Sequence, residues 1–278
     1  MTTRRRAFEA AVALPSGRRL LSFSRAFELR RMGEPSTRVQ FDLQSGGWIH
    51  EADGETQVLA EPRGPGIVGI RNFTQHAFLR DYDLKRGDVV MDVGAGVGTE
   101  TIPFAHAVGA TGLVVALEAH PATFTLLKRA VDLNNLRHVR LHNAAATETV
   151  GAVSFTDVGA DQNHVNRVGS GPLSVEGVPL AHVFEKVEVE HVDFLKMNIE
   201  GAELSALLGL GRHIGQVRHM AVSCHDFLAD QTGDNSYRTK AQVKELLKDE
   251  RFSIKTFDDD RHDWARDYVF ATNRSCST

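Results

Sequence analysis

The chain has 278 residues, of which 42% are hydrophobic and 24% are charged. This is an ordinary globular composition, and the length suffices for one large domain or for one domain with an appendage. The formal net charge of −4 gives no overall electrostatic argument for binding nucleic acid. Two cysteines cannot form a disulfide framework, and no apolar run has the length of a membrane span. We therefore expect a soluble protein of the cytoplasm with no nucleic-acid partner.

The amino terminus is basic although the whole chain is acidic. Nine arginines stand against three glutamates in residues 1–38, namely Arg4, Arg5, Arg6, Arg18, Arg19, Arg25, Arg30, Arg31 and Arg38 against Glu9, Glu28 and Glu34. An export signal is excluded because Glu9 and Pro15 interrupt the apolar stretch that it needs. Two interpretations remain: a basic amphipathic helix that touches an anionic surface or a partner, or a solvated helix whose apolar residues pack on the main domain. We favour the second.

A small extension precedes the main domain. Residues 37–60 alternate between apolar and polar side chains around a turn at Ser45-Gly46-Gly47, and this pattern predicts short strands. The prolines and glycines of residues 62–66 then interrupt the pattern. We therefore divide the chain into an N-terminal extension at residues 1–66, with a basic helix and short strands, and a main domain at residues 67–278.

From residue 67 onward the pattern alternates between strands and helices. Nearly continuous apolar runs predict strands covered on both faces at 89–93, 113–117, 139–141, 192–197 and 217–223. Helices are predicted at 99–106, from Pro121 through Val131, at 202–210 and at 240–248. Repeated strand–helix units predict an α/β fold with a mostly parallel sheet, right-handed crossovers and helices on both faces.

Two segments depart from this regular alternation. Residues 253–257 and 268–271 are strand candidates without a predicted helix between them, so we expect a C-terminal antiparallel hairpin. We interpret the acidic run 258–260 in their connection as a solvated loop and not as a cation site. A short extra strand is predicted at 153–155, and residues 157–172, rich in Gly, Asn and Asp, predict an irregular loop near the working edge of the sheet.

A glycine-rich turn follows the strand at 89–93. Its G-x-G-x-G spacing lets the backbone approach a ligand closely, because no side chains intervene. Dinucleotide-binding folds prefer G-x-G-x-x-G, in which a pyrophosphate lies on the helix N-terminus. The turn therefore predicts a different ligand with a nucleoside part. The residues that we assign to this ligand are Asp92, Gly94, Ala95, Gly96, Gly98 and Glu100.

Two further elements follow the neighbouring predicted strands. Glu118, with Ala119 beside it, ends the second strand, where its two oxygens can accept hydrogen bonds from both ribose hydroxyls. Asn143 follows the third strand, where its amide can read the edge of an adenine while the small Ala144 leaves room for the ring. Together with the glycine turn, these residues predict S-adenosylmethionine as the cofactor.

Four segments carry a family resemblance. They are Gly87 to Gly96, Glu118-Ala119-His120-Pro121, His142-Asn143-Ala144-Ala145 and, most specifically, Val192-Asp193-Phe194-Leu195-Lys196-Met197-Asn198-Ile199-Glu200-Gly201-Ala202-Glu203. From about residue 72 to 271 the chain resembles the FkbM family of methyltransferases, and the first 65 residues lie outside the resemblance. The resemblance implies a Rossmann-like class I methyltransferase sheet, S-adenosylmethionine as cofactor, and O-methylation of hydroxyls on sugars, lipids and secondary metabolites.

One position departs from the family pattern. The family usually has an aspartate where this chain has Asn198. An amide can orient the cofactor's ammonium or a substrate hydroxyl, but it cannot act as a general base and is a poorer ligand for a divalent cation. We therefore assign Asn198 to both the cofactor and the catalytic group, and we predict no metal.

Histidine is the expected proton acceptor, because methyl transfer to a hydroxyl requires removal of its proton near neutral pH. His225 follows the fifth strand and should project from the carboxyl edge beside Asn198. His164, in the loop at 157–172, is a second candidate. Glu200 should begin the helix after the fourth strand, where it either reaches the cleft or stabilises the helix dipole.

Residues 226–237 should form the wall of the substrate site together with the loop at 157–172. Within this segment, Asp226 either orients the neighbouring histidine or is solvated.

The sequence thus predicts an O-methyltransferase that acts on a small molecule. An N-methyltransferase and a catalytically weak scaffold that binds the cofactor remain as alternatives, and a homodimer is left open. A nicotinamide oxidoreductase is disfavoured because it would lack the run from Lys196 to Glu203.

Overall fold

A computed structural model describes residues 3–34, 37–155, 171 and 173–276. The strands are β1 (Arg38–Phe41), β2 (Trp48–Ala52), β3 (Glu55–Leu59), β4 (Val89–Val93), β5 (Leu113–Leu117), β6 (Val139–His142), β7 (Ala145–Ala146), β8 (Gly151–Phe155), β9 (Leu173–Val178), β10 (Val192–Met197), β11 (Val217–Ser223), β12 (Phe252–Lys255) and β13 (Tyr268–Asn273). The helices are α1 (Thr3–Ala13), α2 (Pro15–Arg31), α3 (Ile67–Ala77), α4 (Thr101–Val108), α5 (Pro121–Leu133), α6 (Leu180–Val187), α7 (Glu203–Leu208), α8 (Asp226–Thr232), α9 (Lys240–Asp249) and α10 (Asp263–Arg266).

The central sheet has the strand order β12-β13-β11-β10-β4-β5-β6. Strands β4, β5, β6, β10 and β11 pair in parallel, whereas β13 runs antiparallel to both β11 and β12. The mostly parallel sheet with a C-terminal antiparallel hairpin is thus confirmed, and β13 lies inside the sheet while β12 forms its edge. The strand order changes direction between β4 and β10, and the carboxyl ends of strands at such a point border the crevice that binds ligands.

Helices cover both faces of the sheet. Because successive residues of a strand point to opposite faces, Met91 and Val93 of β4 join a core with α6, α7 and α9. The intervening Val90 packs in a second core with α3, α4 and α5. Along β10, Leu195 joins the first core and Phe194 the second. This two-sided burial explains why the strands have nearly continuous apolar runs.

Several local elements differ from the predictions. A second sheet, with strand order β7-β9-β8, contains the predicted strand at 153–155, whereas β9 and α6 were not predicted. Helix α7 begins at Glu203, one residue later than predicted, and α4 begins at Thr101 instead of residue 99. The one-turn helix α10 lies between β12 and β13, where we expected none. Of the predicted loop at 157–172, only residue 171 lies among the described residues.

The antiparallel sheet β1–β3 joins the extension to the main domain. Ile49 and Val58 on one of its faces belong to the core that contains α3, α4 and α5. On the other face, Trp48 packs with Leu29 of α2. The predicted short strands are confirmed, and Gly66, at our predicted boundary, is the N-cap of α3. The division into two domains stays an interpretation.

The outer face of α2 does not follow the prediction. Leu20, Phe23 and Phe27 are 69%, 73% and 55% exposed, although we expected the apolar residues of this basic segment to pack on the main domain. That expectation is wrong for these three side chains, because the β1–β3 sheet covers only the side of the helix that carries Leu29. Within the described residues, no helix combines the length and the apolar character that crossing a bilayer requires.

Candidate active site

The glycine turn connects β4 to α4 at the carboxyl edge of the sheet. Gly94 and Gly96 have φ angles of 76° and 57°, a left-handed backbone that favours glycine. A Cβ atom at Gly94 would lie 2.1 Å from the carbonyl oxygen of Asn198, which directly follows β10. A Cβ atom at Gly96 would meet no atom within 4 Å. Packing of the turn against the end of β10 therefore requires glycine at Gly94, and Gly96 leaves open space above the turn.

A buried lysine supports the turn from below. The Lys196 ammonium donates a hydrogen bond of 2.7 Å to the carbonyl oxygen of Gly94. It also lies 2.9 Å from Asp92 Oδ1 and 3.8 Å from Glu100 Oε2, and 5.1 Å from the centre of the Phe78 ring. Burial lowers the pKa of Lys196, but the charges of Asp92 and Glu100 outweigh this effect and hold the pKa above its usual range. The charged Lys196 ammonium thus interacts with three oxygen atoms around the glycine turn.

Asp92 and Glu100, which we assigned to the cofactor, are both buried. Asp92 Oδ2 accepts a hydrogen bond of 2.6 Å from Thr101 Oγ1, and burial raises the pKa of Glu100 although Lys196 opposes this shift. Both carboxylates therefore hold the turn in place, and their direct contact with the cofactor stays a prediction. Sequence reasoning gave no role to Lys196, although a lysine inside an apolar strand requires a buried charged partner.

Glu118 directly follows β5 and contacts the glycine turn from another side than Lys196. Its Oε2 accepts a hydrogen bond of 2.9 Å from the Gly96 nitrogen, and its Oε1 accepts one of 2.8 Å from the His120 nitrogen. Burial raises the pKa of Glu118 above its ordinary value. The exposed Asn143, after β6, donates Nδ2 to the carbonyl oxygens of Glu118 and Ala119 at 2.8 and 3.0 Å. Its Oδ1 is therefore the amide atom that can accept from a ligand.

Glu203, the first residue of α7, is fully buried near the ends of β10 and β11. Its carboxylate accepts hydrogen bonds from the Gly201 nitrogen at 3.0 and 3.1 Å and from Thr239 Oγ1 at 2.8 Å. Its Oε1 also lies 3.0 Å from Nδ1 of the buried His225. Because an ionised carboxylate can only accept, we assign the proton to Nδ1, and Nε2 then holds the lone pair.

Two acidic residues near this network differ from their predicted roles. Glu200 has a left-handed φ of 51° and precedes α7, so the prediction that it begins the helix is wrong and Glu203 takes that position. Asp226 Oδ1 accepts hydrogen bonds of 3.0 and 3.1 Å from the Thr239 and Lys240 nitrogens at the start of α9. Asp226 therefore holds the start of α9, a role that we did not predict.

Asn198 lies between the glycine turn and the Glu203 network. Its backbone nitrogen donates a hydrogen bond of 3.0 Å to the carbonyl oxygen of Val93, and the residue is half-buried. Met197 pairs with Val222 in the register of β10 and β11, so Asn198 and His225 leave neighbouring parallel strands at the same edge. The structure thus brings these two predicted residues to one edge. His164, the second histidine candidate, lies outside the described residues.

A family model described as a methyltransferase FkbM domain matches residues 92–254. The chain belongs to the FkbM methyltransferases. The resemblance inferred from the sequence motifs is thereby confirmed. The hexuronic acid methyltransferase AglP from Haloferax volcanii is 23% identical to this FkbM methyltransferase over 176 residues, which cover 62% of this chain and 72% of that protein.

Solved structures match the chain at low sequence identity. The methyltransferase FkbM from Methylobacillus flagellatus KT has a TM-score of 0.42 and 18% identity, and the match covers 68% of this chain and 44% of that one. This FkbM methyltransferase thus spans less than half the length of that protein. The fibrillarin pre-rRNA processing protein from Methanococcus jannaschii has a TM-score of 0.45 and 14% identity, with 85% of this chain and 96% of that one covered.

The cofactor of this FkbM methyltransferase is S-adenosylmethionine, as family membership implies. The donor and acceptor groups at the sheet edge fit it. The backbone is open above Gly96, and Glu118 presents carboxylate oxygens beside it, as ribose hydroxyls require. Asn143 offers an acceptor oxygen one strand further along, and the small Ala144 next to it is buried. Ala95 is fully buried within the turn.

A cleft of about 510 Å³ opens beside the turn of this FkbM methyltransferase. Its walls come from residues 59–61 and 63–65 of the extension, from Gly69, Ile70 and Phe73 of α3, and from Val97, Thr99 and Glu100. The extension, which lies outside the family match, therefore forms part of the wall next to the cofactor turn. Asn198 and His225 are not among the lining residues, so the role that we assign to His225 depends on its place at the sheet edge.

The acidic run at 258–260 is paired with basic side chains. Lys240 Nζ lies 2.6 Å from Asp258 Oδ1, and Arg80 Nη2 lies 2.8 Å from Asp260 Oδ2. Asp258 keeps 58% of its side chain exposed, in agreement with a solvated loop, whereas the Asp260 side chain is 12% exposed. Across the described part of the chain, no group of three or more His, Cys, Asp or Glu residues could hold a metal ion.

Proposed function

We propose that this FkbM methyltransferase transfers the methyl group of S-adenosylmethionine to a hydroxyl of a small molecule such as a sugar, a lipid or a secondary metabolite. The positive sulfur of the cofactor supplies an already activated methyl group. The protein has to position the acceptor and remove its proton. The observation that carries the proposal is the 3.0 Å contact between Glu203 Oε1 and His225 Nδ1. It leaves Nε2 as a proton acceptor, which a hydroxyl needs because its oxygen is a weak nucleophile until the proton leaves, whereas a neutral amine nitrogen is nucleophilic without deprotonation.

In this proposal His225 Nε2 would accept the proton of the acceptor hydroxyl. The cofactor would supply the methyl group through cleavage of its carbon–sulfur bond and would leave as S-adenosylhomocysteine. The Glu203 carboxylate then stabilises the imidazolium, as a buried acid beside a catalytic histidine does. Asn198 orients the hydroxyl or the cofactor's ammonium through its amide. Glu200 and His164 remain candidates for contact with the acceptor, and residues 226–237 remain the proposed substrate wall.

We assign cofactor binding to the residues of the glycine turn and to the polar residues that end the neighbouring strands. Glu118 accepts from the ribose hydroxyls, and Asn143 reads the adenine edge. The full set is Asp92, Gly94, Ala95, Gly96, Gly98, Glu100, Glu118, Ala119, Asn143, Ala144 and Asn198. No metal takes part in this proposal, because Asn198 replaces the carboxylate that a divalent cation prefers.

The acceptor class that we infer is a carbohydrate hydroxyl. The support is the relative named a hexuronic acid methyltransferase, which matches 62% of this chain at 23% identity. A catalytically weak scaffold is the competing function, and Asn198 is the observation that favours it. We also retain the cytoplasm as the location, and a homodimer stays a prediction.

The test begins with calorimetric titration of S-adenosylhomocysteine, since absence of binding would remove the cofactor assignment. Transfer of a labelled methyl group is then measured with methyl glycosides of glucuronic acid and glucose and with the matching amino sugars. We expect an O-methylated sugar, identified by mass spectrometry after fragmentation. Exclusive N-methylation would contradict the proposal, and cofactor binding without transfer to any of these acceptors would favour the scaffold.

A further inference from the structure

The outer face of α2 carries an apolar stripe formed by Leu20, Phe23 and Phe27. The three positions have the spacing i, i+3 and i+7, so they share one side of the helix. Arg25 and Leu29, on the opposite side, are buried against the rest of the extension. The helix therefore has one apolar side that is packed and a second that is exposed.

Exposed apolar surface is concentrated around this helix. Half of the large apolar side chains that are exposed in the described residues lie on or next to α2, namely Leu14, Leu20, Phe23, Phe27 and Met32. Single exposed apolar residues are normal, but a contiguous set on one helix face indicates a surface that becomes covered.

The charges around the apolar stripe are positive. Arg19 and Arg30 flank it, and Arg31 continues it one turn beyond Phe27, with its guanidinium 6.0 Å from the centre of the Phe27 ring. All three arginines are exposed. The one acidic residue in the α2 sequence, Glu28, lies 2.6 Å from the Arg25 guanidinium, so its charge is already neutralised.

We propose that the apolar stripe docks on a membrane surface that contains anionic lipids. Phenylalanine and leucine side chains on a helix that lies in the interface enter the boundary between headgroups and acyl chains, while arginines bind the lipid phosphates. Cytoplasmic leaflets carry the anionic lipids that this charge pattern requires. This docking concerns a surface separate from the cofactor site and does not depend on the proposed acceptor.

A second copy of the chain fits this surface less well. In a two-fold dimer the same patch meets itself, so an antiparallel pair of α2 helices would bring Arg19 of one copy towards Arg30 and Arg31 of the other. Like charges at such an interface repel each other. The phosphates of an anionic lipid surface can pair with the same arginines. This charge complementarity favours a membrane over a second copy of the chain as the partner of the apolar stripe.

The test is cosedimentation of the full chain with vesicles of phosphatidylcholine alone and of phosphatidylcholine mixed with phosphatidylglycerol. We expect binding to the mixed vesicles only, and weaker binding as the salt concentration rises. The double variant Phe23→Ser, Phe27→Ser should lower the partition coefficient by about a hundredfold or more, since each buried phenylalanine contributes at least about tenfold. Arg30→Gln with Arg31→Gln should lower it by about thirtyfold, at roughly 1 kcal/mol per arginine near the surface.

Matched control variants change exposed residues outside the extension. Val150, which is 60% exposed, is replaced by Ser, and Arg212, whose side chain is 82% exposed, is replaced by Gln. Both controls should bind vesicles like the unchanged chain. Titration with S-adenosylhomocysteine checks that each variant is folded, so failure of membrane docking and failure of methyl transfer are distinguished.

Three results would overturn the proposal. The first is no vesicle binding, or equal binding with and without phosphatidylglycerol. The second is a partition coefficient that the Phe23→Ser, Phe27→Ser variant leaves unchanged. The third is a dimer in sedimentation velocity that becomes a monomer in that variant, because the apolar stripe would then be covered by a second copy.

Discussion

The carboxylate of Glu203 lies 3.0 Å from Nδ1 of His225, and both side chains are buried at the carboxyl edge of the central sheet. Glu203 begins α7 and His225 follows β11, so two neighbouring strand–helix units supply the pair. Thr239, at the start of α9, fixes the carboxylate with a hydrogen bond of 2.8 Å. The imidazole therefore has a defined orientation and a defined protonated nitrogen before any ligand binds.

Replacement of His225 tests the proton acceptor. We expect His225→Ala to lower kcat by about a hundredfold or more, the range typical of a general base. The affinity for S-adenosylhomocysteine should remain, because we assign the cofactor to other residues. His106→Ala, which changes an exposed histidine at the end of α4, is the control. Full activity of His225→Ala in the methyl-transfer assay would exclude this role.

Glu203→Gln tests the positioning role of the carboxylate. The amide keeps the size of the side chain but removes its charge, so the imidazolium is stabilised less and its orientation is less well defined. We expect kcat to fall by about ten- to a hundredfold with KM nearly unchanged, as for the loss of a group that orients a catalytic residue. Steady-state kinetics measure both constants, and Glu185→Gln, at a half-exposed carboxylate, is the control. A rise in KM with unchanged kcat would point to acceptor binding instead.

Lys196→Met tests the support below the glycine turn. The variant leaves Asp92 and Glu100 buried without their cation, and we expect the free energy of unfolding to fall by about 3–5 kcal/mol. Affinity for the cofactor should fall as well, because the Gly94 carbonyl loses its donor. Lys128→Met breaks an exposed pair with Asp132 and should cost less than about 1 kcal/mol. Urea unfolding measures both variants, and equal losses would contradict the proposed support.

The pH dependence of cofactor binding tests Glu118. Its pKa is raised above the ordinary value of 4.5 by burial, and only the ionised carboxylate accepts fully from ribose hydroxyls. Affinity for S-adenosylhomocysteine should therefore fall as the pH is lowered through this raised pKa. We expect Glu118→Gln to bind about tenfold more weakly at neutral pH and to lose this pH dependence, since a charge-assisted hydrogen bond is replaced by a neutral one. Calorimetry over the pH range checks both expectations, and a decline that persists in Glu118→Gln would assign the titration to another group.

The residues that follow apolar strands at the edge of the sheet could be predicted from the sequence. Strand ends place Glu118, Asn143 and His225 at one edge as soon as the strands are recognised, because parallel strands share their carboxyl edge. The role of Lys196 could not be predicted in this way. Its partners Asp92 and Gly94 are about a hundred residues away, and pairing between distant segments is a property of the folded sheet.

Two predictions failed for local physical reasons. The left-handed backbone at Glu200 and Gly201 delays the start of α7. Gly201 signals such a backbone in the sequence, whereas Glu200 does not, because residues other than glycine rarely adopt it. The exposed stripe on α2 was expected to be buried because the helix is rich in apolar residues. A single sheet can cover only one side of a helix, and the sequence does not show how many sides the rest of the chain covers.

Gly94 and Asn198 approach so closely that no methyl group fits between them. The backbone assigned to the methyl donor and the residue assigned to both donor and acceptor are therefore in direct contact. With the function proposed, we expect binding of either ligand to change the affinity for the other through this contact. The thermodynamic cycle then requires donor and acceptor to change each other's dissociation constants by the same factor, which is measured by titrating each ligand in the presence and absence of the other.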